Sequence, residues 1–394
     1  MRILMISDVY FPRVNGVSTS IQTFRRELHT VGHETTLIAP RYPAPYADEP
    51  ETLRVASRYV PFDPEDRMMK PGEVRALSDQ LERKSYDIVH VQTPFVAHYL
   101  GVELAKQLGA PCVETYHTFF EEYLYHYIPL VPRSWLKSLA RRFARAHGRD
   151  VDELIVPSSA MRNRLGEYAV STPMHVLPTG VPVTDFSAGD GVAFRRKYNI
   201  APNRPTLLFV GRVAFEKNID FLIRSLAIAV CTIPDLLLVI AGEGPALDRL
   251  KRDVKRQNLG NNVLFVGYLD RAGALPDCYA AADAFVFASR TETQGLVLLE
   301  AMALGLPVIS LAVMGTCDIV NARRGCLVPD DDEVDFASNI LKIVGDDNLR
   351  LRLGREACAY ACEWQSDAIA KRLVGLYERV VASQARASPT VQPA

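Results

Sequence analysis

Short apolar runs alternate with amphipathic helical patterns along nearly the whole chain, and few folds accept that alternation. In the first half the runs are RILMIS, HETTLIAP, YDIVHVQ, APCVETY and ELIVPSS. In the second they are PTLLFVG, DLLLVIAG, NVLFVGYL, AFVFAS and PVISLAV. Strand-length runs separated by helix-length segments predict parallel sheets with helical crossovers. Two sets of five predict two doubly wound α/β domains, and 394 residues exceed what one hydrophobic core organises. Proline and glycine break the pattern in MHVLPTGVPVTDF, which places the boundary near residue 183. The expected domains are therefore 1–183 and 184–364. A helix over 365–382 follows and is expected to pack back on the first domain, with a disordered tail at 383–394.

Composition removes several classes of function. Hydrophobic residues make up 48% and charged residues 23%, the balance of a soluble globular protein. The net charge of −1 provides no global field for nucleic acid. Seven cysteines without a CxxC pair argue against a disulfide framework and for a reduced, cytoplasmic compartment. MRILMISDVYFP reads as a strand rather than a signal peptide, because Ser7 and Asp8 interrupt a short apolar run. No run approaches the ~18 apolar residues of a membrane span, so any membrane contact is expected to be peripheral.

Chemistry concentrates where strands end. Glu292 and Glu300 are separated by seven residues in SRTETQGLVLLEAMALGLPVIS. DAFVFASR upstream reads as a strand and GLVLLEAMALG downstream as a short buried helix. Glu292 then lies on the strand-to-helix turn and Glu300 about two turns into the helix. In open α/β sheets such turns sit where ligands bind. A carboxylate there can hold sugar hydroxyls, and the amides of Gln294 and Gly295 can face an anion. In GRVAFEKNID, Arg212 and Lys217 follow a buried strand and precede a helix. Two cations so placed can clamp a diphosphate and neutralise it as it leaves; the other reading is a solvated loop. Asn15-Gly16-Val17-Ser18 follows the first strand and opens a helix, either for close approach of a ligand or as a tight turn. Neither this segment nor GEGPAL matches GxGxxG, which argues against a dehydrogenase.

Other features carry two readings each. His117, just after a strand in VETYHTFFEEYLYHYIP, can face a sugar or be structural, and His126 falls inside an aromatic stripe. The acidic strings at 150–152 and 330–332 resemble metal-binding pairs. The first reads better as a helix-to-strand turn and the second as the acidic start of a helix, so no essential metal is expected. PRSWLKSLARRFARAHGRD repeats Trp135, Leu136, Leu139 and Phe143 at helical spacing, with Arg133, Lys137, Arg141, Arg142, Arg145 and Arg149 on other faces. Such a helix can lie on an anionic membrane or pack on its own domain with a solvated basic face.

NGVS, TYHT, GRVAFEKN, AGEGP, FVGYL and TETQGLVLLEAMALGLPVI, in this order, resemble the retaining glycosyltransferase family 4 with its GT-B fold. The resemblance spans residues 1 to about 380 and implies two Rossmann-like domains facing a central cleft. It implies that Gly16 and Val17 approach the donor phosphates and that Arg212 and Lys217, beside Gly211, bind the diphosphate. Glu292 would hold donor-sugar hydroxyls, with Thr293, Gln294, Gly295 and Leu296 nearby. Glu300 would bind the ribose, while Gly267 and Tyr268 border the nucleobase. His117 would sit beside the donor sugar and assist catalysis. YHTFFEEYLYHYIP looks most like bacterial diacylglycerol α-glucosyltransferases. That implies UDP-glucose as donor and a lipid or glycan acceptor. Tyr116, Phe119, Trp135, Arg141, Arg142 and Arg145 would then serve the acceptor or the inner face of the cell membrane. One departure is Met314-Gly315-Thr316-Cys317-Asp318, where many members carry Gly-Gly and then Glu; Gly315 and Thr316 could still donate to phosphate. The alternatives are a GDP-mannose-dependent mannosyltransferase and a non-catalytic nucleotide-sugar binder. The binder reading expects the loss of Arg212, Lys217 or Glu292, and all three are present.

Overall fold

The computed structural model describes residues 1–43, 46–60, 63–117, 133–182, 189–271 and 273–387. These form two compact units: residues up to Gly180 together with those from Ser366 onward, and Val181–Gln365. The unit change thus comes at Gly180–Val181 rather than at 183.

The first unit carries strands β1 (Arg2–Ile6), β2 (Glu34–Pro40), β3 (Thr52–Val55), β4 (Ser57–Val60) and β5 (Asp63–Met69). It continues with β6 (Ile88–Val91), β7 (Cys112–Thr115), β8 (Glu153–Val156) and β9 (Met174–Val176). Seven of them form one sheet in the order β3-β2-β1-β6-β7-β8-β9, and β4 with β5 makes an antiparallel hairpin. Every pairing in the large sheet is parallel. The order reverses between β1 and β6, as double winding requires.

Helices cover both faces, so the central strands are apolar on both sides rather than alternating. Leu4, Ile6, Leu154 and Val156 pack into one cluster. Their neighbours Ile3, Met5 and Ile155 pack into the other. The helix Ser366–Ala387 joins this second cluster through Ile369, Leu373, Leu376, Tyr377 and Val380, a single helical stripe. Burial of each such side chain is worth about 1.5–3 kcal/mol. Polar contacts fix its register: the Ser366 hydroxyl donates to Glu27 at 2.8 Å, and the Tyr377 hydroxyl meets His90 Nδ1 at 2.6 Å. The helix runs on to Ala387, so residues 383–387 are helical and not part of a tail. Residues 388–394 lie outside the described residues.

The second unit carries β10 (Thr206–Val210), β11 (Leu237–Ala241), β12 (Val263–Gly267), β13 (Ala284–Phe287), β14 (Val308–Ser310) and β15 (Cys326–Leu327). Their order is β12-β11-β10-β13-β14-β15, all parallel, with the reversal between β10 and β13. Chain entry and exit meet where Val181 N donates to the Trp364 carbonyl at 2.8 Å. The ten strands expected from the apolar runs are present. Five more strands were not expected: β3, β9 and β15 are edge strands of two to four residues, too short to register as periodic runs, and β4 with β5 forms the hairpin outside the large sheets.

Candidate functional site

In the second unit the candidate residues converge at the carboxyl ends of β10 and β13, the two strands flanking the reversal. After β10 the chain passes Gly211 and Arg212 and makes one 3-10 turn, Phe215–Lys217. Asn218 ends that turn with φ +55°, and its side-chain amide donates to the Ala288 carbonyl at 3.0 Å. This stitches the Arg212–Lys217 loop to the end of β13. Lys217 Nζ in consequence forms an ion pair with Glu292 Oε1. Arg212 lies 3.9 Å from Glu216, with its side chain 39% exposed. The two cations and the carboxylate singled out in the sequence therefore share one edge, and Lys217 and Glu292 touch.

The turn from Glu292 into the helix Leu296–Ala303 depends on two glycines. Gly295 occupies the position before the helix with φ +96°, a left-handed conformation that favours glycine. Gly315, in the 3-10 turn after β14, donates its N–H to the Glu292 carbonyl at 2.8 Å. A Cβ there would lie 2.0 Å from the Thr293 carbonyl oxygen, so only glycine lets the two turns approach. Gly315 N–H and the Thr316 hydroxyl, expected as phosphate donors, are engaged inside the protein. Thr316 Oγ1 bonds to Leu311 and Val313 carbonyls at 3.0 and 2.8 Å. They shape the Glu292 turn instead.

Glu300 is buried, one turn into the helix rather than two, because the helix begins only at Leu296. Its Oε1 pairs with Arg271, and its Oε2 accepts from the Tyr279 hydroxyl at 3.2 Å. The carboxylate raises the guanidinium pKa of Arg271 further. Burial, with the Glu300 charge second, pushes the Tyr279 phenol well above its ordinary value. A carboxylate offers about four lone-pair sites, so these two donors leave acceptor capacity on Glu300. Arg271 and Tyr279 were not legible as site residues, since no periodic pattern marks either. Gly267 closes β12, and the next residue, Tyr268, exposes 53% of its surface. A flat aromatic face is thereby available at the third strand end of the same edge.

The first unit has its own edge of polar groups. The helix Gly16–Thr30 begins immediately beyond Asn15, whose side chain accepts from Ser18 N at 2.8 Å. A Cβ on Gly16 would meet nothing within 4 Å, so internal packing does not explain the glycine. Val17 is partly buried against the neighbouring apolar cluster. Gln92 follows β6 and His117 follows β7, with Gln92 Oε1 and His117 Nε2 3.0 Å apart. Burial lowers the His117 pKa to about 4, so the ring is neutral at physiological pH. Tyr116, expected to face an acceptor, is instead a core side chain, 5% exposed. Phe119 and His126 lie outside the described residues.

The basic segment is a helix, Arg133–Asp150. Leu136, Ala140, Ala144 and His147 are buried, and His147 Nε2 bonds to the Pro94 carbonyl at 3.0 Å. Trp135 and Leu139 do not share that inner face: they are 73% and 52% exposed. With Arg142, Arg145 and Arg149 they form one outward stripe. Arg141 departs from the expected cationic surface, since its guanidinium packs 5.6 Å from the centre of the Tyr168 ring. The acidic strings have structural partners. Asp152 accepts from Cys112 N at 2.8 Å, Asp331 pairs with Arg290, and Asp332 caps the helix Glu333–Gly345 through Val334 N and Asp335 N.

Comparison with known proteins matches this geometry. Residues 14–185 match the model of Glycosyltransferase Family 4, and residues 192–359 that of Glycosyl transferases group 1. The chain is 36% identical over 328 residues to the alpha-monoglucosyldiacylglycerol synthase of Streptococcus pneumoniae, covering 79% of this chain and 71% of that one. It is 29% identical over 400 residues to a GDP-mannose-dependent alpha-mannosyltransferase of Mycolicibacterium smegmatis, covering 97% and 98%. Among solved structures, sucrose-phosphate synthase from Thermosynechococcus elongatus superimposes with a TM-score of 0.78 at 22% identity, covering 97% of this chain and 99% of that one. It has the same GT-B fold. Two family models in tandem, and a relative well above 30% identity over most of both chains, establish that this protein belongs to the retaining glycosyltransferase family 4.

Proposed function

We propose that this enzyme transfers glucose from UDP-glucose to a membrane lipid of the diacylglycerol class, with retention at the anomeric carbon. The observation that carries the acceptor half is the outward stripe of the 133–150 helix. Tryptophan and leucine exposed beside three arginines suit a helix lying in an anionic lipid surface. Among the described residues no helix is long and apolar enough to cross a membrane, and the attachment proposed is peripheral, on the cytoplasmic face. The name of the pneumococcal relative supports the same acceptor chemistry.

For the donor half, Arg212 and Lys217 take the diphosphate, and Gly16 and Val17 approach it by their backbone. Glu292 forms an ion pair with Lys217. Once Lys217 turns to phosphate, the Glu292 carboxylate is released to accept sugar hydroxyls near Thr293, Gln294, Gly295 and Leu296. Glu300, held by Arg271 and Tyr279, accepts from the ribose, and Tyr268 with Gly267 borders the base. His117 lies beside the donor sugar. Transfer is front-face: the bond from the anomeric carbon to the phosphate oxygen breaks as the acceptor oxygen bonds from the same side. The acceptor's proton passes to the leaving phosphate oxygen, so no enzyme carboxylate is a nucleophile. No metal is assigned a role, and full activity in EDTA is expected; a strict requirement for Mn²⁺ or Mg²⁺ contradicts this.

The mycobacterial relative, aligned over 97% of the chain, favours a second reading, mannosyl transfer from GDP-mannose. The test is to offer UDP-glucose or GDP-mannose with vesicles of phosphatidylglycerol and diacylglycerol, and to follow the lipid product. Glucosyl-diacylglycerol is expected. Transfer from GDP-mannose alone replaces the first reading with the second, and donor binding without turnover leaves only a nucleotide-sugar binder.

A further inference from the structure

We infer that Gln92 is a positioning residue that fixes the proton of His117 on Nε2, so that the ring presents Nδ1 as a bare hydrogen-bond acceptor. The geometry at the ends of β6 and β7 leads there. Gln92 is 1% exposed, and its backbone N–H donates to the Ile6 carbonyl at 2.9 Å, so the side chain starts from a fixed point. Its Oε1 lies 3.0 Å from His117 Nε2. An amide oxygen can only accept, so Nε2 must be the donor. A neutral imidazole carries one ring proton, which leaves Nδ1 as a lone pair. Burial keeps the ring neutral. The neighbouring titratable group is His90, whose pKa is lowered by burial first and by His117 second, and which stays neutral between Tyr377 and Thr115.

A second observation points the same way. Gln92 Nε2 is buried and has no hydrogen-bond partner among the described residues. An unpaired buried N–H destabilises a fold, so an apolar side chain would serve packing better at this position. The bond to His117 gives the amide a purpose. Its consequence for the reaction rests on the reading that places His117 beside the donor sugar. A ring with only Nδ1 free cannot donate to a phosphate or act as a general acid. It can accept from a hydroxyl, and its low basicity makes it an orienting acceptor rather than a proton acceptor. The ligand group it selects is therefore a hydroxyl, on the donor sugar or the acceptor.

The experiment is a long-range ¹H–¹⁵N spectrum of the full-length protein, with the His117 signals assigned by their loss in His117→Ala. The Nε2–H pattern is expected, unchanged between about pH 5.5 and 8. An Nδ1–H pattern, or titration within that range, overturns the inference. Gln92→Glu places a carboxylate on Nε2 and is expected to raise the His117 pKa by at least about one unit. The acid limb of kcat/KM should move with it. Folded Gln92→Glu protein with an unshifted His117 also overturns the inference. If the Nε2–H pattern stands but His117→Ala retains full kcat, the tautomer is upheld and the placement of His117 beside the sugar fails.

Discussion

Replacing Lys217 by methionine separates the chemistry of the donor edge from its packing. Lys217 and Glu292 pair with side chains 22% and 17% exposed. Breaking a fully buried pair costs about 3–5 kcal/mol, and an exposed pair is worth about 0–1 kcal/mol. For this partly buried pair, Lys217→Met should cost about 1–2 kcal/mol of stability. At roughly 2–4 °C per kcal/mol for a unit of this size, Tm should fall by about 2–8 °C. The donor loses more. A charge-assisted hydrogen bond to the diphosphate is worth about 1.5–3 kcal/mol. The carboxylate of Glu292 would also face the diphosphate without its counter-charge. Together these predict a fall in kcat/KM of about 100-fold or more. The double variant Lys217→Met/Glu292→Gln is the discriminating measurement, by calorimetry and steady-state kinetics. It should recover most of the lost stability, because no orphan carboxylate remains, and none of the lost activity. If activity returns with stability, the pair is structural and the diphosphate role is wrong.

Three further outcomes are expected. Asp8 is buried with Oδ1 unpartnered, and burial raises its pKa from 3.8 to about 7 against hydrogen bonds from Ala97, Thr93 and neighbouring amides. A carboxyl raised in the folded state contributes stability below about pH 4 that is lost as pH rises through 7, by about 4 kcal/mol at most. Asp8→Asn should flatten urea-measured stability over that window and gain most near pH 8; an unchanged slope refutes the burial argument. Arg142, Arg145 and Arg149 changed together to glutamate should reduce sedimentation with phosphatidylglycerol vesicles and leave the UDP-induced thermal shift intact, whereas equal sedimentation supports a merely solvated face. Arg271→Ala leaves the buried Glu300 carboxylate with Tyr279 alone, and should lower Tm by several degrees and weaken UDP binding about tenfold or more; wild-type affinity in a folded variant removes Glu300 from the ribose.

The strand-end positions were legible because a strand, a glycine-bearing turn and a helix leave a local signature. Arg212, Lys217 and Glu292 could be placed on one edge from that alone. Their contact was not legible, since it depends on Asn218 reaching the Ala288 carbonyl, 70 residues away. Arg271 escaped for the same reason: its partner is decided by how the end of β12 meets a helix 29 residues further on. The basic helix shows the limit of periodicity. Composition gave a stripe of arginines, but the Tyr168 ring turns Arg141 inward, while Trp135 and Leu139 point outward. Tyr116 was misplaced because a residue just past a strand can as readily continue the core as enter a site. At the Gly315–Thr316 turn, the Gly315 N–H and the Thr316 hydroxyl are engaged in shaping the Glu292 turn, a contact that the local pattern does not show.

The most direct test of the central claim is the anomeric configuration of the lipid product. Wild-type protein is incubated with UDP-glucose and diacylglycerol-bearing anionic vesicles, and the glycolipid is analysed by proton NMR. A glucosyl-diacylglycerol with the α configuration of the donor retained is expected. A β-linked product contradicts the front-face transfer, and unmodified diacylglycerol contradicts the donor and acceptor together.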